Sequence, residues 1–273
     1  MSSKGKRLLF LSALAGIVLA TSGAFLLSQA TAGIRIFDSD FASRGLAAYA
    51  ASIHSDRISI VDDPVLGGAR KVAKMTVYDS DTGPTKDPRA QLETPRFWDE
   101  GEEYYVGLSV MFGASWDWRM CSACWVTFHQ VYGPPYNAQG PTNLNVKSNN
   151  RASEPRMTWE RTQPFGFEHP FEMAIRPRKW YDIVWHEKLS RDPSEGFVEL
   201  WINAGRGWSR VKLNGHDRLT MATKIKANGS RLDGNSSNIQ LYRRRGTTRV
   251  ATMYFAEHRV GTSFDAAAPH SYR

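Results

Sequence analysis

Cysteine is nearly absent from this 273-residue chain: there are two, spaced as Cys121-x-x-Cys124. A disulfide-stapled framework is therefore excluded, and so is a structural zinc site, which needs two further ligands when no second C-x-x-C and no H-x-x-x-H exists. A local disulfide, two incidental thiols or a redox pair remain open for these cysteines, although no βαβ pattern surrounds them. Missing too are the G-x-x-x-x-G-K-[ST] phosphate loop, H-E-x-x-H, the G-x-S-x-G elbow and the E-x-D-x-x-E strand of one large class of β-sandwich glycosidases. Paired-carboxylate hydrolysis thus has no evident owner. There is no internal repeat of fixed period and no Pro- or Ser-rich linker in the interior. Helical periodicity is scarce, its best candidate being the short LAAYAAS from Leu46 to Ser52. Long apolar runs are confined to the N-terminus.

That N-terminus has Lys4, Lys6 and Arg7 ahead of an apolar run from Leu8 to Leu27, then SQATAG with small residues at Ala30 and Ala32. This is the layout of a secretory signal over residues 1–32, cleaved after Ala32. An uncleaved anchor is the alternative, because about 20 apolar residues can span a bilayer. Either way residues 33–273 are expected outside the cytoplasm as one secreted domain, with no membrane contact beyond the signal. Cleavage removes three cations and no acid, taking the formal charge from +8 to +5. A basic exported domain suits a polyanionic partner, and acidic polysaccharide fits that compartment better than nucleic acid does. A monomer is expected. No cofactor is expected either; a structural calcium stays open, since the scattered Asp residues show no recognisable calcium spacing.

Beyond Gly33 the apolar pattern has period two. In EYYVGLSVMF, Tyr104, Val106, Leu108, Val110 and Phe112 share one side, and KVAKMTVY, WYDIVWHEKL, GFVELWI and VATMYFAEHRV repeat that strand signature. Turn signals such as Asn203-Ala204-Gly205 and Asn214-Gly215 separate them. Many short strands without alternating helices indicate a β-sandwich or barrel. Gly133 to Gly140 and Ser148 to Glu154 read as exposed loops, which often carry binding function.

Three stretches place polar side chains at strand spacing. RAQLET puts Arg89, Gln91 and Glu93 on one face; FHQVYG puts Phe128, Gln130 and Tyr132 on one face with His129 on the other; NIQLYRRRG aligns Asn238, Gln240 and Tyr242 ahead of Arg243, Arg244 and Arg245. Each alone is an ordinary solvated sheet face. Trp116, Trp118 and Trp125 around the cysteine pair are candidates for holding sugar rings, against the commoner role of Trp in a core.

In their chain order, RISIVDDP, R-x-Q-L, a strand ending Q-x-Y-G-P-P, WYDIVWHEKLSRDPSEGFVELWINAG, NIQLYRRRG and VATMYFAEHRVGTSF together resemble the β-jelly-roll polysaccharide lyases of the glucuronan lyase and heparin lyase I type. The most specific part runs from Trp180 to Gly205, close to W-x-D-x-V-x-H … G-x-V-x-x-W-x-N-G with Ala204 inserted before the last Gly. The resemblance implies an all-β, concanavalin-like jelly-roll sandwich of two antiparallel sheets, and a lyase that cleaves a uronate-containing polysaccharide by β-elimination. Such a reaction needs donors on the carboxylate beside C5, a base for the C5 proton and an acid for the leaving oxygen. Carried over, Gln130 would neutralise the carboxylate, Tyr242 would be the acid and also serve as base, and Arg89 would be the orienting cation. Gln91, Tyr132, Asn238, Arg243 and Arg244 would bind substrate. Where the family has Glu, His, Lys and Gly this chain has Gln91, Tyr132, Asn238 and Gln240. Loss of the His removes the easiest base near neutral pH, since an unperturbed Tyr titrates near about 10. The alternative is a non-catalytic glycan-binding jelly roll that keeps the groove without the chemistry.

Overall fold

A computed structural model describes residues 33–82, 87–114, 125–132, 142–147, 155–161, 168–224, 235–246 and 250–270. Residues 1–32, read from sequence as a signal, lie outside the described residues, as do Cys121, Cys124, Trp116, Trp118 and the two loops read from sequence. The strands are β1 (Arg35–Asp38), β2 (Ala51–Ile53), β3 (Ile58–Asp63), β4 (Gly67–Tyr78), β5 (Arg89–Glu93), β6 (Glu103–Phe112), β7 (Trp125–Tyr132) and β8 (Thr142–Lys147). They continue with β9 (Arg156–Arg161), β10 (Glu168–Ala174), β11 (Trp180–Lys188), β12 (Phe197–Asn203), β13 (Trp208–Arg210), β14 (Leu219–Thr220), β15 (Ser236–Arg243) and β16 (Val250–Gly261), followed by a short helix α1 (Phe264–Ala267). Among the described residues no helix is long and apolar enough to cross a membrane.

The strands form two antiparallel sheets, as a jelly-roll sandwich requires. One is nine-stranded, in the order β13-β12-β11-β6-β16-β4-β3, with β1 on β16 and β14 on β12; the other is seven-stranded, in the order β10-β9-β8-β7-β15-β5-β2. Each strand turns alternate residues inward, and the inner faces share one core that includes Phe112, Phe128, Trp159, Trp185 and Phe255, none with measurable exposure. Burying each such side chain stabilises the fold by about 1.5–3 kcal/mol.

The period-two runs read from sequence fall on β4, β6, β11, β12 and β16. The Asn214-Gly215 signal is a tight turn with both residues at positive φ (50° and 84°) between Leu213 and His216, which exchange backbone hydrogen bonds, the geometry that favours Asn-Gly. The helical candidate is corrected: residues 41–48 form turns and Ala51–Ile53 is strand β2, paired with β5. The edge of the sheet recruits that segment into a ladder, and tertiary pairing outweighs the local alanine preference.

The C-terminal segment crosses the outer face of the nine-stranded sheet. It passes so close to β6 that a Cβ on Gly107 would stand 1.9 Å from the Ala267 carbonyl oxygen. Phe264 lies edge-on to Trp201 and Trp208. The outer face of the nine-stranded sheet is thus partly covered by the chain's own C-terminal segment.

Candidate functional site

The outward face of the seven-stranded sheet is polar from edge to edge. On β5, Ala90 and Leu92 enter the core while Arg89, Gln91 and Glu93 face out; on β15, Ile239 and Leu241 enter the core while Asn238, Gln240 and Tyr242 face out. The register sets Tyr242 opposite Arg89, Gln240 opposite Gln91 and Asn238 opposite Glu93. On the other side of β15, Asn238 stands opposite Gln130 and Ser236 opposite Tyr132. One row then runs Glu93, Asn238, Gln130, Asn143, Glu160 across β5, β15, β7, β8 and β9. A second runs Arg89, Tyr242, Thr127, Asn145, Thr158 and on to Glu172 of β10.

Side-chain contacts join these residues. The Arg89 guanidinium lies 3.8 Å from the centre of the Tyr242 ring, a cation–π geometry that also sets positive charge beside the phenol. Arg89 Nη1 donates to Gln91 Oε1 at 3.2 Å, and its Nε is buried without a partner. Trp125 meets Tyr242 edge to face with ring centres 4.8 Å apart. Gln240 Nε2 points at Gln130 Oε1 at 3.5 Å, the outer limit of a hydrogen bond. Ser236 Oγ donates to Glu93 Oε1 at 3.0 Å. Arg89, Gln91, Gln130, Tyr132, Asn238 and Tyr242 thus share one face, with Gln240 between the Gln130 and Arg89 ends.

Two expectations are corrected. Phe128 does not share a face with Gln130: an irregularity in the pairing of β7 between Thr127 and His129 turns both Phe128 and His129 inward. Such an extra residue breaks the alternation once and restores it afterwards, so Trp125 and Thr127 join Gln130 and Tyr132 outside. Arg243 does not join the site either. It follows Tyr242 by one position, has no exposure, and pairs from the inner side with Asp79 at 2.7 Å. Arg244, one step on, is exposed, and its backbone N–H donates to the Trp125 carbonyl at 3.2 Å.

His129 belongs to a polar chain inside the sandwich. Its Nε2 lies 2.9 Å from Ser237 Oγ, which lies 2.8 Å from His258 Nε2; the Tyr49 hydroxyl lies 3.1 Å from His258 Nδ1. Burial holds both imidazoles neutral, His129 well below the usual histidine range and His258 at about 3. Pointing away from Tyr242 and Gln130, His129 cannot serve as their base.

The face also holds residues not singled out from sequence. Lys147 is ion-paired with Glu160, and His169 Nε2 lies 3.0 Å from Lys147 Nζ with Nδ1 3.7 Å from Glu160. Burial, then the Lys147 charge, lowers the His169 pKa against the pull of Glu160. Asn143, Asn145, Thr158 and Gln240 are each at most 5% exposed, and each leaves a side-chain oxygen without a partner. Leaving such an atom unmet costs about 1–3 kcal/mol, a cost a bound ligand can remove. Gln240 was aligned with Asn238 and Tyr242 in the sequence, whereas the only sequence signal for Asn143, Asn145 and Thr158 was the alternation of TNLNVK and RMTWER, common to any half-polar strand.

Comparison with known proteins fits this picture. A family model described as polysaccharide lyase matches residues 41–259. An endo-β-1,4-glucuronan lyase from the fungus Trichoderma reesei superposes with a TM-score of 0.61 at 16% identity, over 88% of this chain and 100% of that one. The catalytic domain of a family 131 β-glucanase from Podospora anserina superposes with a TM-score of 0.56 at 14% identity, over 85% and 97%. That of a glycoside hydrolase family 131 protein from Coprinopsis cinerea gives 0.51 at 11%, over 76% and 77%. At these identities the superpositions speak for the sandwich alone. No curated protein matches the chain. The family match spans β2 to most of β16, taking in every strand of the seven-stranded sheet, and on that extent the chain belongs to the polysaccharide lyase family.

Proposed function

We propose that the protein is an exported lyase that cleaves an acidic, uronate-containing polysaccharide by β-elimination on the polar face of the seven-stranded sheet. The observation that carries this reading is the continuous set Arg89, Tyr242, Gln240 and Gln130, with a guanidinium stacked on the phenol and amides one strand away. In the reaction the C5–H bond breaks, its electron pair forms the C4=C5 double bond, and the C4–O bond breaks as the leaving oxygen gains a proton. Gln130 and Asn238 are amide donors for the carboxylate on which charge builds while C5 loses its proton. Tyr242 takes the C5 proton and returns it to the leaving oxygen. One phenol doing both requires proton and leaving group on the same side of the ring, as in gluco- and manno-configured uronates. Arg89 supplies positive charge beside both the ring and the carboxylate.

Hydrolysis, the chemistry named for two of the similar structures, is not supported by the carboxylates here. Glu93 and Glu160 are four strands apart, roughly 19 Å at ~4.8 Å per strand, whereas glycosidase pairs stand about 5–9.5 Å apart. Glu160 and Glu172, on neighbouring strands, are each tied to a cation, Lys147 and Arg156. A glycan-binding domain without catalysis is the second reading, favoured by the inward turn of His129 and the Tyr at 132. Mass spectrometry of products from uronate polymers separates the three. Elimination fragments are lighter than hydrolysis fragments by one water; intact polymer together with measurable binding would leave the binding domain.

A further inference from the structure

The two halves of the polar face differ in charge accounting. At the β5–β15 end, the described contacts of Arg89 are Gln91 and the Tyr242 ring, with no carboxylate. Across β8, β9 and β10, Lys147 is held by Glu160 and Arg156 by Glu172, the latter at 3.0 Å. What remains unmet on that side is Asn143 Oδ1, Asn145 Oδ1 and Thr158 Oγ, all on side chains at least nine-tenths buried. These groups accept hydrogen bonds from hydroxyls. An amide turned over would offer a donor instead, and in neither orientation is a cation supplied. A carboxylate placed there would meet ion pairs already compensated and would lie beside Glu160 and Glu172, an unfavourable neighbourhood for a further anion.

We propose that a polymer crossing the strands presents its uronate to the Arg89–Tyr242–Gln130 half and a neutral, hydroxyl-bearing sugar to the Asn143–Asn145–Thr158 half. The substrate is then a mixed polysaccharide in which uronates alternate with neutral sugars, rather than a uronate homopolymer. The spacing suits this division: β9 lies about 10 Å from β7 at ~4.8 Å per strand, roughly one to two sugar rings. Burial, then the Lys147 charge, disfavours a positive charge on His169 on this side. The inference rests on the lyase reading for its chemistry, but the sugar preference is measurable without turnover.

The test compares hyaluronan, which alternates glucuronate with a neutral amino sugar, against a β-1,4-linked glucuronate homopolymer. Rates and affinity electrophoresis are both recorded with the full chain. The native protein is expected to favour the alternating polymer by about tenfold, some 1.4 kcal/mol. Glu160→Gln deprives Lys147 of its carboxylate and should move the ratio severalfold toward the homopolymer. Should Glu160→Gln fold poorly by circular dichroism, Asn145→Asp, which adds an anion to the same half, should move it the other way. A native preference for the homopolymer, or a ratio that neither variant changes, overturns the inference. Preference in binding without any unsaturated product would leave the inference standing and remove the lyase reading; turnover without preference would do the reverse. Failure to bind either polymer would overturn both.

Discussion

On the outer face of the nine-stranded sheet Glu199 accepts from His186 Nδ1 at 2.6 Å, from Arg218 Nε at 2.9 Å and from Arg210, while Tyr105 stacks on His186 at 3.8 Å. On the outward face of the seven-stranded sheet Gln240, Asn143, Asn145 and Thr158 each keep an oxygen that meets nothing. Both faces are built from charged, amide and aromatic residues at strand spacing. The Glu199 cluster on the first is closed: burial would raise the Glu199 pKa, but the His186 and Arg218 donors overcome it and hold it at about 2. The second is left open in its hydrogen bonding, and it is the one that carries the stacked Arg89–Tyr242 pair. Saturation marks a polar cluster that holds structure; unmet acceptors mark one that waits for a ligand.

Substitutions can break that contrast, and the largest effect belongs to the open face. Tyr242→Phe should lower kcat by roughly 10²–10⁴ with unchanged circular dichroism, the range for a lost general acid–base group; retention of a tenth of the native rate would remove Tyr242 from the chemistry. Gln130→Ala should cost about 10²–10³ in kcat through lost stabilisation of the developing charge, and a change in KM alone would demote it to binding. On the closed face, Glu199→Gln should cost about 2 kcal/mol in urea unfolding, discounted because Arg210 and Arg218 are substantially exposed. The rate per folded molecule should stay native; a loss of rate would blur the contrast.

Acidity sharpens it further. His129 and His258 are held neutral in the fold but are free to charge when unfolded, so the unfolded chain binds more protons below about 6.5. Stability should therefore be complete above that value and fall by about 1.4 kcal/mol per pH unit for each histidine as pH drops toward the His258 value of about 3. Urea midpoints that stay flat between pH 7 and pH 5 would show that the imidazoles are not kept neutral. Glu187 acts in the opposite direction. Buried in the core with Thr142 donating to it, it is pushed well above the usual carboxylate range by burial, so its contribution is present at low pH and lost as pH rises through the raised value. Glu187→Gln should gain about 1 kcal/mol at pH 8 and nothing near pH 4, the smallest of these effects.

The strands were legible because period two survives along EYYVGLSVMF and WYDIVWHEKL, where each inward residue is large and apolar. The polar positions of β5 and β15 were legible for the same reason, with Ala90, Leu92, Ile239 and Leu241 marking the inward phase. Phe128 was misread because the irregularity in β7 arises from pairing with β8, a non-local event without a local sequence mark. Arg243 was misread because a run of three arginines looks like a solvated patch, whereas strand alternation sends the first of them inward to Asp79. Asn143, Asn145 and Thr158 escaped notice because unmet acceptors are visible only once neighbouring strands fix who stands beside whom. His169 enters the site from the last strand of the sheet by the same kind of long-range pairing.

The most direct measurement is ultraviolet absorbance of the new C4=C5 double bond, followed on uronate polymers from neutral to alkaline pH with the native protein, Tyr242→Phe and Glu199→Gln side by side. Absorbance should grow with the native protein and with Glu199→Gln, and stay at background with Tyr242→Phe. Absorbance that persists in Tyr242→Phe, or none from the native protein on any uronate polymer, would contradict a lyase site on the polar face of the seven-stranded sheet.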